Sequence, residues 1–336
     1  AVKWVSPSGS LTGTGTAASP YKTIQAAVNA SVPGTAVMVK AGTYTENVKL
    51  TKSGAVDKPI WLVSANGEGA ATIKAANAGV SVVYGHGIDN VVVKGFKITG
   101  ATEGFNITQG GNNLTNMATN IVIEDNIVFG HKNDGIKTSQ TQNTAIVGNV
   151  VHNIAGQEGI DNVYMRNGII ADNDVYDVRG LSGIVAKAGS QNVRITGNDL
   201  WKVPDGILVG GFSSGQGSVF PTGIKYEAKG FAVTGNTVSA TKQAVTVYGG
   251  HDSTIRDNAL KTASVWVATV GTDNLGYKSQ GIKFIDNDVS KAKWLYAAAG
   301  SVSVNTGNKM PSASAPPPDH ETLPITLAGI DPNAAV

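Results

Sequence analysis

The stretch "IVIEDNIV" (Ile121–Val128) returns as "TAIVGNVV" (Thr144–Val151), "GIIADNDV" (Gly168–Val175) and "VRITGNDL" (Val193–Leu200). Each time an alternating apolar segment meets two polar residues, an asparagine and another aliphatic. The asparagines Asn126, Asn149, Asn173 and Asn198 stand 23, 24 and 25 residues apart, and the phrase persists at Asn236, Asn258 and Asn287. That period is too short for paired-helix repeats and lacks the leucine signature of leucine-rich repeats, which leaves a coil of about three short strands. Each coil then climbs about 4.8 Å, one strand spacing. Asparagine tolerates left-handed backbone at a turn, and its amide can bond its copy one coil away. These residues therefore predict an internal ladder rather than chemistry.

The rest of the chain agrees with a stack of coils. Its 336 residues include 42 glycines, few aromatics and no cysteine, so disulfides and thiolate metal sites are excluded. A formal charge of +2 gives no reason to expect a nucleic-acid partner. No apolar run reaches membrane-spanning length, so no membrane partner is expected either. The start at Ala1 without methionine fits a mature, secreted bacterial chain that has lost its signal peptide. Residues 1–310 are expected to form one β-helical catalytic domain. After it, "PSASAPPPD" opens a Pro-rich C-terminal tail, 311–336.

Between the asparagine turns lies a second strand that opens with glycine and an aliphatic residue. Aligned on Gly104, Gly135, Gly159, Gly183, Gly206 and Ala244, the next position is Phe105, Ile136, Ile160, Ile184, Ile207 and Val245, a column that points inward. Two outward columns follow: Asn106, Lys137, Asp161, Val185, Leu208, Thr246, and Thr108, Ser139, Val163, Lys187, Gly210, Tyr248. Lys187 thus stands among small and apolar neighbours, with Gly210 and Gly211 predicted to leave a hollow that Lys187 and Tyr248 bracket at about 10 Å.

The step from Asn198 to Asn236 is 38 residues, so an insertion falls in "GGFSSGQGSVFPTGIKYEAKG" (Gly210–Gly230). It is expected to wall a cleft and to bring Phe212, Lys225 and Tyr226 to it. Asp134, Glu158 and Asp161 fall in adjacent coils and are candidates to share a hard divalent cation, calcium first; no organic cofactor is implied. Lys137, Arg166, Tyr164, Gly210, Tyr226 and His251 are the candidate substrate contacts. "YGHG" (Tyr84–Gly87) comes too early in the chain to be read as a site.

The opening "SPYKTIQAAVNASVPGTAVMVKAGTYTENVKL" (Ser19–Leu50) reads as a short amphipathic helix, about residues 20–31, followed by a Pro-Gly turn and strands. It resembles the N-terminal cap of pectin-lyase-like right-handed parallel β-helix proteins. That resemblance implies an all-β, single-domain solenoid of about 9–10 coils with a helical cap. "SGIVAKAGSQNV" (Ser182–Val193) looks like the lysine-bearing coil of chondroitinase B and alginate lyase type enzymes, which implies Lys187 as a catalytic base. The chain departs from that pattern: no arginine stands in "DGILVGG", and Gly180 and Ser182 replace the acidic ligands expected before the lysine. A related but separate lyase family follows. The "DPH" motif of the superfamily's epimerases is absent from the coils.

A groove carrying lysine, tyrosine and a cation suits β-elimination of a uronic-acid polysaccharide, alginate first, by a monomeric enzyme. The proton alpha to the uronate carboxylate is weakly acidic, so positive charge must neutralise that carboxylate while a base removes the proton and an acid protonates the leaving oxygen. Lys187 and Tyr248 are the candidate pair, in either order. Two other readings stay open: hydrolysis through paired carboxylates such as Asp161 with Asp134 or Asp205, and a non-catalytic carbohydrate-binding or spike module.

Overall fold

The computed structural model describes residues 1–110, 114, 116–213 and 215–310; the predicted tail 311–336 lies outside them. The chain winds into a right-handed parallel β-helix. One sheet holds ten parallel strands, from Gly42–Thr45 to Asp288–Val289, one for each coil. The other two strands of each coil merge around a corner into a 25-stranded sheet. Alternate side chains of all three faces meet in one continuous apolar core running from Val5 and Ile24 to Val289.

Two columns hold the coils in register. The asparagine turns form a buried ladder. The Asn149 side-chain oxygen accepts from the Asn126 backbone N–H at 3.0 Å and from the Asn126 amide at 3.1 Å. Asn173, Asn198, Asn236, Asn258 and Asn287 repeat the bond, and Asn308 extends the ladder one step past the sequence motif. The glycine column has a different cause. A Cβ on Gly104, Gly135 or Gly159 would meet a valine of the ten-stranded sheet, Val128, Val151 or Val175, at 2.4–2.5 Å, and the next glycine carbonyl at 2.6 Å. Only a missing side chain lets the corner close that tightly.

The strand register follows the sequence alignment. Phe105, Ile136, Ile160, Ile184, Ile207 and Val245 are direct partners along the stack, and so are Asn106, Lys137, Asp161, Val185, Leu208 and Thr246. Near the first coil, helix Ile24–Asn29 starts at Thr23, whose hydroxyl accepts from the Ala26 N–H, and it buries Ile24, Ala27 and Val28. The helix is shorter than the expected segment 20–31.

The insertion occupies the span between strands Asp205–Gly210 and Ala228–Lys229, where the preceding coil needs only Ala188 and Gly189. It folds back towards earlier coils. Phe220 is buried with Val163, Tyr164 and Ala188, and the Gln140 amide donates to the Val219 carbonyl at 2.8 Å.

Candidate functional site

Lys187 and Lys137 lie in one charged network with the three predicted acids. Lys137 Nζ contacts Asp134 at 3.0 Å and Asp161 at 2.5 Å, while Lys187 Nζ contacts Glu158 at 3.3 Å and Asp161 at 3.2 Å. The carboxylates are buried, whereas the lysine side chains keep 25% and 18% of their surface in solvent. The network therefore opens outward through its ammonium groups. Register explains the meeting: Lys137 pairs with Asp161 across one rung, and Lys187 leans back one coil to the same acid. Asp134 also accepts from the Glu158 backbone N–H at 3.0 Å, which ties the two acidic turns together.

Electrostatics keep both lysines charged. Burial pulls the Lys187 pKa down, but Asp161 and Glu158 outweigh it and hold the amine above the ordinary lysine value. Lys137 is raised likewise, burial opposing Asp161 and Asp134. Burial and Asp161 push Glu158 up to about 7 against the pull of Lys187. Three carboxylates against two ammonium groups leave one negative charge in excess, and a proton on Glu158 removes it. The acid oxygens lie within 4.8 Å of one another, and Glu158 Oε2 is buried without a hydrogen-bond partner. Such a donor set fits a hard cation, which would share these oxygens with the lysines.

The other predicted residues divide. Tyr248 shares the strand face of Lys187, opposite Gly210 in register. Its ring, however, lies over Gly271 of the following coil and packs on Phe212 with centroids 4.9 Å apart. Lysine and tyrosine thus lean in opposite directions along the axis and do not meet. Burial, then Asp205, raises the Tyr248 pKa, so the phenol keeps its proton.

Gly210 and Gly211 do not open a hollow, and this corrects the sequence reading. Both are buried, and the space where a Gly210 Cβ would stand is filled by the Tyr248 carbonyl at 2.1 Å and by Glu227 Cβ at 2.9 Å. Gly210 has φ +83° because the chain turns there into the insertion. Tyr164 is likewise no groove residue. It sits buried at a left-handed bend, φ +53°, beneath Phe220, and Arg166 Nη1 donates to its hydroxyl at 3.3 Å.

Arg166, Tyr226 and His251 lie past that bend, on the next face. Arg166 pairs in register with Gln191, Gln191 with Lys229, and Lys229 with His251; the Tyr226 ring is 5.5 Å from the imidazole. They form a group separate from the lysine network. Tyr84 and His86 of the discounted "YGHG" pair in register with Asn106 and Thr108, so they extend the two outward columns by one coil towards the N-terminus. With Ser81 and Glu103 they line a pocket of about 430 Å³ at that end of the face.

Sequence reasoning missed a second buried acid pair. The Glu227 carboxyl accepts from the Ala188 N–H at 2.6 Å and bonds the Ser213 hydroxyl, with Asp273 beside it. Burial is the main force pushing it up to about 7, and Asp273 adds to it. A signal was present: Glu227 occupies a backbone position filled by Gly189 in the coil before and Gly249 in the coil after.

No family model matches the chain. A 67-residue segment, 19% of this chain, is 39% identical to pectate lyase PEL9 of Emericella nidulans and spans only 16% of that relative. The fold is shared more widely. XylC, solved with xylose, superposes with a TM-score of 0.70 at 15% identity, over 89% of this chain and 70% of its own. Pectate lyase Pel9A gives 0.60 at 16%, covering 94% and 81%. An alginate lyase from Paenibacillus sp. str. FPU-7 gives 0.52 at 16%, covering 84% and 96%. At these identities the likeness is one of architecture, the parallel β-helix.

Proposed function

We propose that this chain is a β-helix polysaccharide lyase that cleaves a uronic-acid polysaccharide, alginate first, by β-elimination. One observation carries the reading: two lysines held as ammonium groups at the solvent edge of a buried carboxylate cluster. The names of pectate and alginate lyases among the structural neighbours support the reaction class.

A uronate carboxylate approaching this face meets Lys137 and Lys187 together, and their charges stabilise the enolate-like state that follows loss of the adjacent proton. In the resting arrangement Lys187 carries its proton and neutralises charge; the proton alpha to the carboxylate would pass to Lys187 only once that amine has been deprotonated. Asp134, Glu158 and Asp161 would hold a divalent cation, which when bound supplies positive charge beside Lys187 and takes over its carboxylate partners, the conditions under which a lysine becomes a base. Tyr248, protonated and half-buried, is placed to donate to a leaving oxygen only for a substrate that spans the coils between it and Lys187.

Hydrolysis through Asp161 and Asp134 is disfavoured. Both acids are buried and tied to Lys137, and carboxyl pairs in glycosidases must face the sugar about 5–10 Å apart.

The test is incubation with polymannuronate, polyguluronate, pectate and glycosaminoglycans. New ultraviolet absorbance from an unsaturated product is expected with at least one of them. New reducing ends without that absorbance would replace the lyase by a hydrolase, and binding without turnover would leave a carbohydrate-binding module.

A further inference from the structure

We propose that Glu227 is a positioning residue for Lys187, acting through the left-handed turn at Ala188. The inference rests on the catalytic reading of Lys187 and adds to it the part that fixes its backbone. Strand Ser182–Lys187 ends at Ala188, which has φ +60°, a conformation costly for a residue with a Cβ. Two bonds hold the bend. The Ser190 hydroxyl donates to the Lys187 carbonyl at 2.6 Å, and the Ala188 N–H donates to Glu227 Oε2 at 2.6 Å.

Glu227 itself is fixed from three sides. The Ser213 hydroxyl of the insertion bonds its other oxygen. Its backbone N–H donates to the Gly249 carbonyl at 2.8 Å, and Asp273 faces its carboxyl. Asp273 Oδ1 accepts from the backbone of Leu275 and Tyr277 at 3.0 and 2.6 Å, while its Oδ2 is buried with no other donor. A proton on Glu227 satisfies that oxygen and removes the repulsion between the two acids. Asn274 completes the tie, its amide donating to the Ser213 carbonyl at 3.4 Å. The clasp therefore joins three segments distant in sequence, the Lys187 turn, the start and end of the insertion, and the 273–277 loop. Ala188, Ser213, Glu227 and Asp273 are all buried, which separates them from the groups that would touch substrate.

The experiment compares Glu227→Ala, Glu227→Gln and the double change Glu227→Ala with Ala188→Gly. It reads elimination kinetics on the polyuronate that the parent cleaves and amide exchange at Ala188. Glu227→Ala is expected to lower kcat by about 30-fold with KM within about twofold, because the substrate face is untouched while the lysine shifts. Exchange at Ala188 should speed by about tenfold or more. Glutamine keeps an acceptor for Ala188 and a donor for Asp273, so it should recover most of both losses. Glycine at 188 adopts the turn unaided and should recover part of kcat. If the alanine variant does not fold, Glu227→Met fills the same volume without an acceptor and takes its place. Parental kcat in the variant lacking the carboxyl, or unaltered Ala188 exchange, overturns the proposal. Should the parent cleave no polyuronate, the lyase reading falls, and Ala188 exchange still decides whether Glu227 pins the turn.

Discussion

Two stacks run along this solenoid, and they are built on opposite rules. The asparagine ladder repeats one neutral residue, and each copy satisfies the next with the same two bonds. The lysine–carboxylate cluster is not a ladder of copies: Lys137 and Asp161 are successive members of one column, Lys187 stands in the other, and a single acid answers two cations. A repeat that closes on itself needs no ligand. The charged cluster closes differently: it needs a proton on Glu158 to balance its two partly exposed ammonium groups, and it stands where the repeat is broken.

The largest expected effect breaks the charged stack. Lys187→Met should lower kcat/KM for elimination by about 10³-fold, since it removes both charge neutralisation and any proton-transfer role. The fold should persist, because Glu158, already near 7, takes up a proton when its partner is lost. Turnover within a few-fold of the parent, measured in purified protein with a native thermal transition, would move the site elsewhere.

Breaking the neutral stack should do the reverse. Asn198→Ala removes the acceptor for Asn173 and the donor to Asn236, both buried, and should cost about 3 kcal/mol of stability. The kcat of the folded fraction should stay near the parental value. Denaturant unfolding gives the first number; a loss below about 0.5 kcal/mol would deny the ladder its structural role.

These contrasts also explain what was legible beforehand. The coil period, the inward column and the ladder could be read because every coil imposes the same environment on the same residue. The meeting of Asp134, Glu158 and Asp161 followed from register alone. The direction in which a long side chain leans did not: Lys187 reaches back to Asp161 while Tyr248 lies forward over Gly271, and no spacing encodes that. Gly210 resembled an opening because its missing side chain was visible and the Tyr248 carbonyl and Glu227 that fill the space were not. Glu227 escapes a count taken forward from Gly206, which the insertion interrupts, whereas counted back from the ladder it stands nine residues before Asn236, as Gly189 does before Asn198.

A smaller change sharpens the comparison within the charged stack. Asp161→Asn keeps the shape but takes away the acid shared by both lysines, and should cost about 2 kcal/mol, less than a fully buried pair because both ammonium groups retain solvent. The same variant tests the cation. If the parental activity responds to chelation and to added calcium, the Asp161→Asn protein should lose that response; a parent indifferent to chelation would leave the carboxylates with the lysines alone.

The smallest effect comes from the second acid pair and is read as stability against pH. The folded-state pKa of Glu227 lies near 7, above the ordinary carboxyl value, so folding favours its protonated form. Its contribution is fully present below the unfolded pKa and is lost as pH rises through the folded one. Between pH 5 and pH 8 the thermal midpoint should therefore fall by about 3 °C on account of this group. Glu158, raised to a similar value, adds a fall of the same sign. Glu227→Gln cannot ionise and should remove only the first share. Midpoints of parent and variant at both pH values decide the matter: an equal slope in the two proteins would mean that Glu227 shares no proton with Asp273. A flatter slope in the variant would locate the proton in the clasp behind Lys187, apart from the cluster in front of it.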